Sequence, residues 1–402
     1  MTADGQELRL FVVAGEHSGD QLGGPLLAAL HDMSDRPLAL SGVGGEAMAA
    51  QGCKSLFPLS EVAVMGPLAI LRRLPQLIKR VHETVDAAVA MRPHALIILD
   101  SPEFTHAVAK RVRRQLPNLP VIDYVSPSVW AWRPGRARKM RSYVDHVLAI
   151  LPFEPDVHRR LGGPDCTYVG HPLIERIDWI RSRDTQTFRE KLRLNADRPL
   201  LVVLPGSRAT EVNRLTRVFG ETVTRIVEKR GPVDVVLPAA SGVEPLIESY
   251  LPHWTVKPHI VRGEEDKFSA FGAADAALAA SGTVTLELAL AQTPMVVSYR
   301  TEAVVAMFMW MLKAHSIVLP NLVLGENVFP EHVQGACNTE TLSNAMLPLL
   351  DQGSPEFKRQ MAALKGIDER MKLPSGTPST RAARIVLDLA LKDRAVVPET
   401  VR

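Results

Sequence analysis

The 402-residue sequence has little cysteine, almost no net charge and no long apolar run. Cysteine occurs three times, at Cys53, Cys166 and Cys337, without a CxxC pair. That argues against a disulfide scaffold or a zinc site and fits a reducing compartment. The net charge is +3, from 47 basic and 44 acidic residues. Nucleic acid is therefore not an expected partner, because a phosphate-binding surface carries a larger basic excess. The longest apolar runs, 62–71 and 303–312, fall short of the roughly 18–20 residues that cross a bilayer. An integral membrane protein is excluded on this ground, though contact with a membrane surface is not. The first ten residues carry Asp4 and Glu7 and no apolar core, so no secretory signal is expected. There is no GK[ST] phosphate loop, no GxGxxG and no short-period repeat, which sets aside P-loop NTPases, a dinucleotide site and solenoids. What is present is ordinary: 46% hydrophobic and 23% charged residues, at a length that suggests two domains.

Apolar β-rich runs alternate with helical patterns. Leu8–Ala14, Leu38–Val43, His94–Leu99, Pro120–Val125 and His146–Leu151 read as strands of a first half, with a helix over about Gln76–Met91. The highly charged segment His171–Arg198 reads as a helical connection. The pattern then restarts with Pro199–Leu204, Val233–Pro238, Trp254–Val261, Asp275–Ala279 and Pro294–Tyr299. Continuous apolar strands between helices indicate α/β architecture, with parallel sheets covered on both faces. Ser379–Lys392 reads as an amphipathic helix. In doubly wound sheets ligands bind beyond the carboxyl ends of the strands, and two such halves facing one another would form a cleft.

Chemistry-bearing residues stand at those strand ends. Gly15, Glu16, Ser18, Gly19 and Asp20 form a glycine-flanked turn after the first strand, either a substrate loop or a plain strand–helix turn. Asp100, at the tip of His94–Leu99, is placed for a general base or for a helix cap. Gly206, Ser207 and Arg208, followed by Glu211, form a turn that could cradle a phosphate, with Arg208 able to reach a pyrophosphate in bidentate fashion. Ser281, Gly282 and Thr283 precede a helix start, with Glu287 one turn in, either as a ribose ligand or as a capping acid. The loop Tyr124–Gly135 carries two tryptophans and leads into Arg133, Arg136, Arg138, Lys139 and Arg141, a solvated basic face or an anion surface.

Two apolar stretches suit an interface. In the first, Val62, Val64, Met65, Leu68, Leu71 and Leu74 are ringed by Arg72, Arg73, Lys79 and Arg80, as in an interfacial helix or a helix packed on the core. The second runs Met307, Phe308, Met309, Trp310 and Met311.

Taken together, VAGEHSGD (13–20), GVGGEAM (42–48), LDSPEF (99–104), YVSPSVWAWR (124–133), LPFE (151–154), GHP (170–172), LPGSR (204–208), ASGTVTLE (280–287) and LPNL (319–322) resemble the lipid-A-disaccharide synthase family over nearly the whole chain. The resemblance implies a GT-B fold, two Rossmann-like parallel-sheet domains facing across a cleft. Residues 1–172 would be the acceptor and acyl domain and 190–350 the UDP-sugar domain, with a C-terminal helix over about 358–395 packing on the first. It implies an inverting transfer from UDP-2,3-diacylglucosamine to 2,3-diacylglucosamine 1-phosphate (lipid X), giving a β-1,6 disaccharide 1-phosphate and UDP. Asp100 then takes the base role. Gly206, Ser207, Arg208, Ser281, Gly282, Thr283, Glu287 and Asn321 would bind the UDP-sugar. No metal and no other cofactor is expected, and no Asp-x-Asp triplet occurs in the sequence. A cytoplasmic protein, peripheral on the inner face of the cytoplasmic membrane, is expected, and a homodimer is compatible with the resemblance. The rivals are another UDP-GlcNAc-using enzyme of this architecture, such as a non-hydrolysing epimerase, and a catalytically silent binding protein. YVSPSVWAWR and LPGSR speak against the first, and intact Asp100, Arg208 and Glu287 against the second.

Overall fold

A computed structural model describes residues 7–63, 67–301 and 313–392, with side chains for all of these except 67–71. The chain divides into two compact units, one of residues up to Pro172 together with those from Leu373 on, the other of Leu173–Lys372.

The first unit is built on seven strands: β1 (Leu8–Ala14), β2 (Leu38–Val43), β3 (Lys54–Ser55), β4 (Ala95–Leu99), β5 (Val121–Tyr124), β6 (His146–Ala149) and β7 (Asp165–Tyr168). Their order is β3-β2-β1-β4-β5-β6-β7, and every neighbouring pair is parallel. The apolar run Leu10–Ala14 of β1 follows from burial on both faces. Leu8, Leu10, Val12 and Ala14 pack with Leu26, Leu27 and Leu30 of helix His17–Met33 and with Ala382, Ala383 and Val386 of helix Pro378–Lys392. Phe11 and Val13 pack on the other side with Val81 and Val85 of helix Pro67–Met91 and Val108 and Val112 of helix Pro102–Gln115. Each of the larger of these side chains contributes about 1.5–3 kcal/mol on burial.

The second unit repeats the scheme with β8 (Leu200–Leu204), β9 (Asp234–Pro238), β10 (His259–Val261), β11 (Ala276–Ala280), β12 (Met295–Tyr299) and β13 (Glu331–Val333). The order is β10-β9-β8-β11-β12-β13, all parallel. In both sheets the winding reverses beside the first strand, between β1 and β4 and between β8 and β11. These are the places where a crevice opens at the carboxyl ends of the strands.

The structure departs from the sequence reading in several places. The strands β3, β7 and β13 are additional; they are short and partly exposed, so they lack a continuous apolar run. The strand expected over Trp254–Val261 reduces to His259–Val261. The segment after Pro172 is no bare connection. Its helices Ile177–Arg181 and Thr185–Lys191 dock on helix Gly263–Ala273, through ion pairs of Arg176 with Glu264 (2.7 Å), Arg183 with Glu265 (3.2 Å) and Lys191 with Asp266 (2.8 Å). The single C-terminal helix expected over 358–395 is two helices. Pro355–Met371 belongs to the second unit, where the Gln360 side chain bonds the Met295 backbone, and Pro378–Lys392 belongs to the first. Pro374 and Gly376 (φ 69°) break the helical path between them. No helix among the described residues is long and apolar enough to cross a membrane.

Candidate active site

In the first unit the loops after β1 and β4 meet at the switch point. A Cβ on Gly15 would stand 2.3 Å from the Ser101 Cβ, so only glycine allows this approach. The β4 tip turns sharply: Asp100 and Ser101 both hold left-handed backbones, φ 54° and 41°. Such conformations are costly for residues with a Cβ and persist where neighbours hold them, often at functional sites. Here the Thr105 hydroxyl donates to both carbonyls, at 2.7 Å to Asp100 and 3.1 Å to Ser101. The Asp100 carboxylate is fixed at both oxygens: Oδ1 accepts the Ser101 amide (2.7 Å) and Oδ2 accepts the Ser18 hydroxyl (2.6 Å). A carboxylate has about four acceptor positions, so one more hydroxyl can be received at this half-buried group. Val125 (φ 81°) marks the same strain at the neighbouring tip of β5.

The other residues of the first loop divide. Ser18 is exposed and Glu16 half-buried at the rim. Gly19 lies against the Leu99 carbonyl, 3.0 Å from where its Cβ would be. Asp20 leaves the ligand set: it is fully buried, and its carboxylate accepts the amides of Gly45 (2.7 Å), Ala47 (3.0 Å) and Met48 (3.0 Å), fixing helix Glu46–Ala49. An acid aimed at a short helix start satisfies amides that would otherwise be orphaned.

In the second unit a cavity of about 530 Å³ opens between the ends of β8, β9 and β11, bordered by Arg208, Lys267, Gly282, Thr283 and Glu287. The Gly206–Ser207–Arg208 turn is not an empty phosphate cradle. Glu211 fills it, its Oε2 accepting the amides of Ser207 (3.1 Å) and Arg208 (3.3 Å), and a Cβ on Gly206 (φ 120°) would meet Glu211 at 2.5 Å. What the turn offers a ligand is the Arg208 side chain, 61% exposed. The Ser281 hydroxyl donates to the Ile317 carbonyl (2.8 Å), whereas Gly282 (φ 148°) has open space where its Cβ would be. Glu287 is ion-paired through both oxygens to Lys267 Nζ (3.0 and 3.1 Å). Lys267 was not legible in the sequence, being one charged residue within Gly-Glu-Glu-Asp-Lys on a helix face.

Asn321 also leaves the ligand set. It is fully buried, and its amide is satisfied internally: it donates to Ser316 Oγ (3.2 Å) and the Phe329 carbonyl (2.9 Å) and accepts the amides of Val328 (3.0 Å) and Phe329 (2.9 Å). It braces the loop that follows helix Leu319–Leu324.

A family model described as lipid-A-disaccharide synthetase matches residues 10–386. The lipid-A-disaccharide synthase of Nitrobacter hamburgensis is 48% identical over 391 residues, 96% of this chain and 97% of that protein. That of Rhodopseudomonas palustris is 48% identical over 388 residues, again 96% and 97%.

This chain belongs to the lipid-A-disaccharide synthetase family.

It is thus a glycosyltransferase of lipid A biosynthesis. Its fold is of the GT-B class. A solved UDP-GlcNAc 2-epimerase from Neisseria meningitidis, bound to UDP-GlcNAc, has a TM-score of 0.63 at 12% identity, covering 96% of this chain and all of that one. Among the residues expected at a membrane or an acyl chain, Val62 is 3% exposed and packs with Phe57, Val81 and Val85, and it also borders a groove of about 270 Å³ beside Leu74 and Ile78. Among the described side chains of helix Pro67–Met91, Leu74 (42%) and Ile78 (47%) are the exposed large apolar ones. Arg80 is drawn out of the basic rim by ion pairs to Glu61 (2.6 Å) and Glu83. Val64, Met65, the side chains of Leu68 and Leu71, and the cluster Met307, Phe308, Met309, Trp310 and Met311 lie outside the described residues.

Proposed function

We propose that the enzyme joins UDP-2,3-diacylglucosamine to the 6-hydroxyl of 2,3-diacylglucosamine 1-phosphate with inversion at the anomeric carbon. The observation that carries the reading is the Asp100 carboxylate, pinned in a strained turn by Ser18 and the Ser101 amide with acceptor capacity left over. The acceptor hydroxyl donates to Asp100. Its oxygen attacks the anomeric carbon, the bond to the diphosphate oxygen breaks, the proton passes to Asp100, and UDP leaves with the electron pair. Positioning and a fixed base together supply the catalysis. In the second unit Arg208 and Lys267 carry positive charge toward the diphosphate, and Glu287, held by Lys267, receives ribose hydroxyls. These cations stand in for a metal, so a chelator leaves the rate unchanged.

Each substrate carries acyl chains, and each buried methylene contributes about 0.8 kcal/mol. A groove of about 270 Å³ bordered by Leu74, Leu77, Ile78, Phe104 and Ser101 reaches the Asp100 turn and suits such a chain. Exposed Leu74 and Ile78, with Arg72 and Arg73 beside them, would lie against the cytosolic face of the inner membrane.

The test is an assay with both acylated substrates in nonionic detergent, following UDP and disaccharide. Asp100→Asn should lose turnover by about a hundredfold or more while binding UDP normally. Near-normal turnover would remove Asp100 from the base role, and a rate that collapses with EDTA and returns with a divalent ion would reject the metal-free reading.

A further inference from the structure

Helix Pro102–Gln115 begins two residues after Asp100 and separates two cavities of opposite chemistry. Phe104 and Ala107 face the apolar groove. Pro102, His106 and Lys110, spaced four apart and so on one face of the helix, border a second cavity of about 460 Å³, closed by Arg133, Arg136, Lys139 and Tyr143. Beneath it His106 (4% exposed) bonds the Tyr143 hydroxyl at 3.0 Å, with its Nε2 3.2 Å from the buried Asp123 carboxylate. Lys110 Nζ lies 4.9 Å over the Tyr143 ring. Four basic side chains border this hollow, and acid answers only one of them, Arg136, which meets Glu103 at 3.1 Å. Among the described residues Lys110, Arg133 and Lys139 have no carboxylate partner. Burial together with Arg136 and Lys139 pushes the Lys110 ammonium below its ordinary value. Concentrated like charge in a concave site is unfavourable until an anion enters and focuses an anion's approach.

We propose that this cavity binds the phosphomonoester of the acceptor sugar, with Lys110, Arg136 and Lys139 as its ligands. The inference rests on the acceptor reading above and deepens it. A sugar whose hydroxyl meets Asp100 can send an acyl chain to the apolar side of the helix and its phosphate to the basic side. The helix thus separates an acyl chain of the acceptor from its phosphate and fixes which hydroxyl reaches the base.

Binding and turnover are measured in nonionic detergent with the 1-phosphate acceptor and with its dephosphorylated counterpart, on the full chain. In the wild type the phosphorylated acceptor should bind more tightly. In Lys110→Ala and Arg136→Ala its preference, as the ratio of Kd values and of kcat/KM values, should fall roughly tenfold or more. The KM for the UDP donor should not move, and Arg136→Lys should recover part of the loss. Equal affinity of the wild type for the two acceptors overturns the proposal, as does an equal loss on both acceptors in the variants. Wild-type protein that binds the phosphorylated acceptor preferentially but forms no disaccharide instead sinks the transferase reading and leaves the site standing. A lipid headgroup phosphate is the other source of this chemistry. Variants that lose co-sedimentation with phosphatidylglycerol vesicles but keep the acceptor preference would assign the site to the membrane and overturn the proposal.

Discussion

At the scale of single residues, what separates a ligand-facing side chain from a structural one is where its hydrogen bonds end. Asp20 and Asp100 both follow strands and neighbour glycine or serine, yet Asp20 spends its carboxylate on three amides whereas Asp100 keeps room for another donor. Glu154 is a third acid with a distinct behaviour. It is buried, accepts the Leu151 amide (3.0 Å) and the Trp130 indole (3.3 Å), and burial pushes its carboxyl up to about 7. The folded state therefore holds this proton more tightly than the unfolded chain does. The stabilisation is fully present below the ordinary carboxyl value near 4.5 and is lost as pH rises through about 7. Glu154→Gln removes the titration, so its Tm relative to the wild type should be higher at pH 8.5 than at pH 5, by an amount on the order of 2–3 kcal/mol in stability. A Tm difference independent of pH would show that Glu154 does not titrate in this range. Because Trp130 and Phe153 stack edge-on at 5.5 Å beside it, and Ser126 bonds His158 at 2.7 Å, the same residues hold the loop after β5.

At the scale of elements, the strands were legible and their edges were not. β4, β8 and β11 are buried on both faces and appear in the sequence as unbroken apolar runs, and β1 does so from Leu10 on, after Arg9. β3, β7 and β13 close the sheets at or near their rims, where half-exposure permits Lys54, Asp165 and Glu331 and erases the signal. Helix Pro67–Met91 shows the same ambiguity in helical form, since core-packing and interfacial helices share one period. Burial resolves its described part: Val81 and Val85 face the core, Leu74 and Ile78 the surface. Leu74→Glu with Ile78→Glu should reduce co-sedimentation with anionic vesicles several-fold while the thermal transition stays within a few degrees of the wild type, as surface changes usually do. Unchanged sedimentation in the folded double variant would take this helix off the membrane.

At the scale of the whole molecule, the first unit is completed by the end of the chain. Helix Pro378–Lys392 buries Ala382, Ala383, Val386 and Ala390 against Leu26, Leu27 and Leu30. The Arg381 guanidinium reaches the Tyr168 carbonyl at 3.3 Å. A Cβ on Gly170 would clash with Leu373 and Pro378, so the strand β7 exit and this helix are fitted to each other. Removing residues from 378 onward should lower the unfolding temperature of the first unit and leave that of the second, which ends at Lys372, largely in place. Calorimetry would separate the two transitions, and an unaltered first transition would contradict this account of the packing.

The sequence by itself determined the α/β class, the doubled parallel architecture and the loops that carry Asp100, Arg208 and Glu287, because buried parallel strands must be apolar throughout and ligand loops must follow them. Only the tertiary structure decided which members of those loops are available to a ligand. Asn321 and Asp20 turned inward because buried amides had to be satisfied, Glu211 took the turn expected for a phosphate, and Lys267 joined Glu287 from the preceding helix, across strand β11. Such partnerships depend on which elements pack side by side, and hydrophobic periodicity records the faces of an element without naming its neighbours.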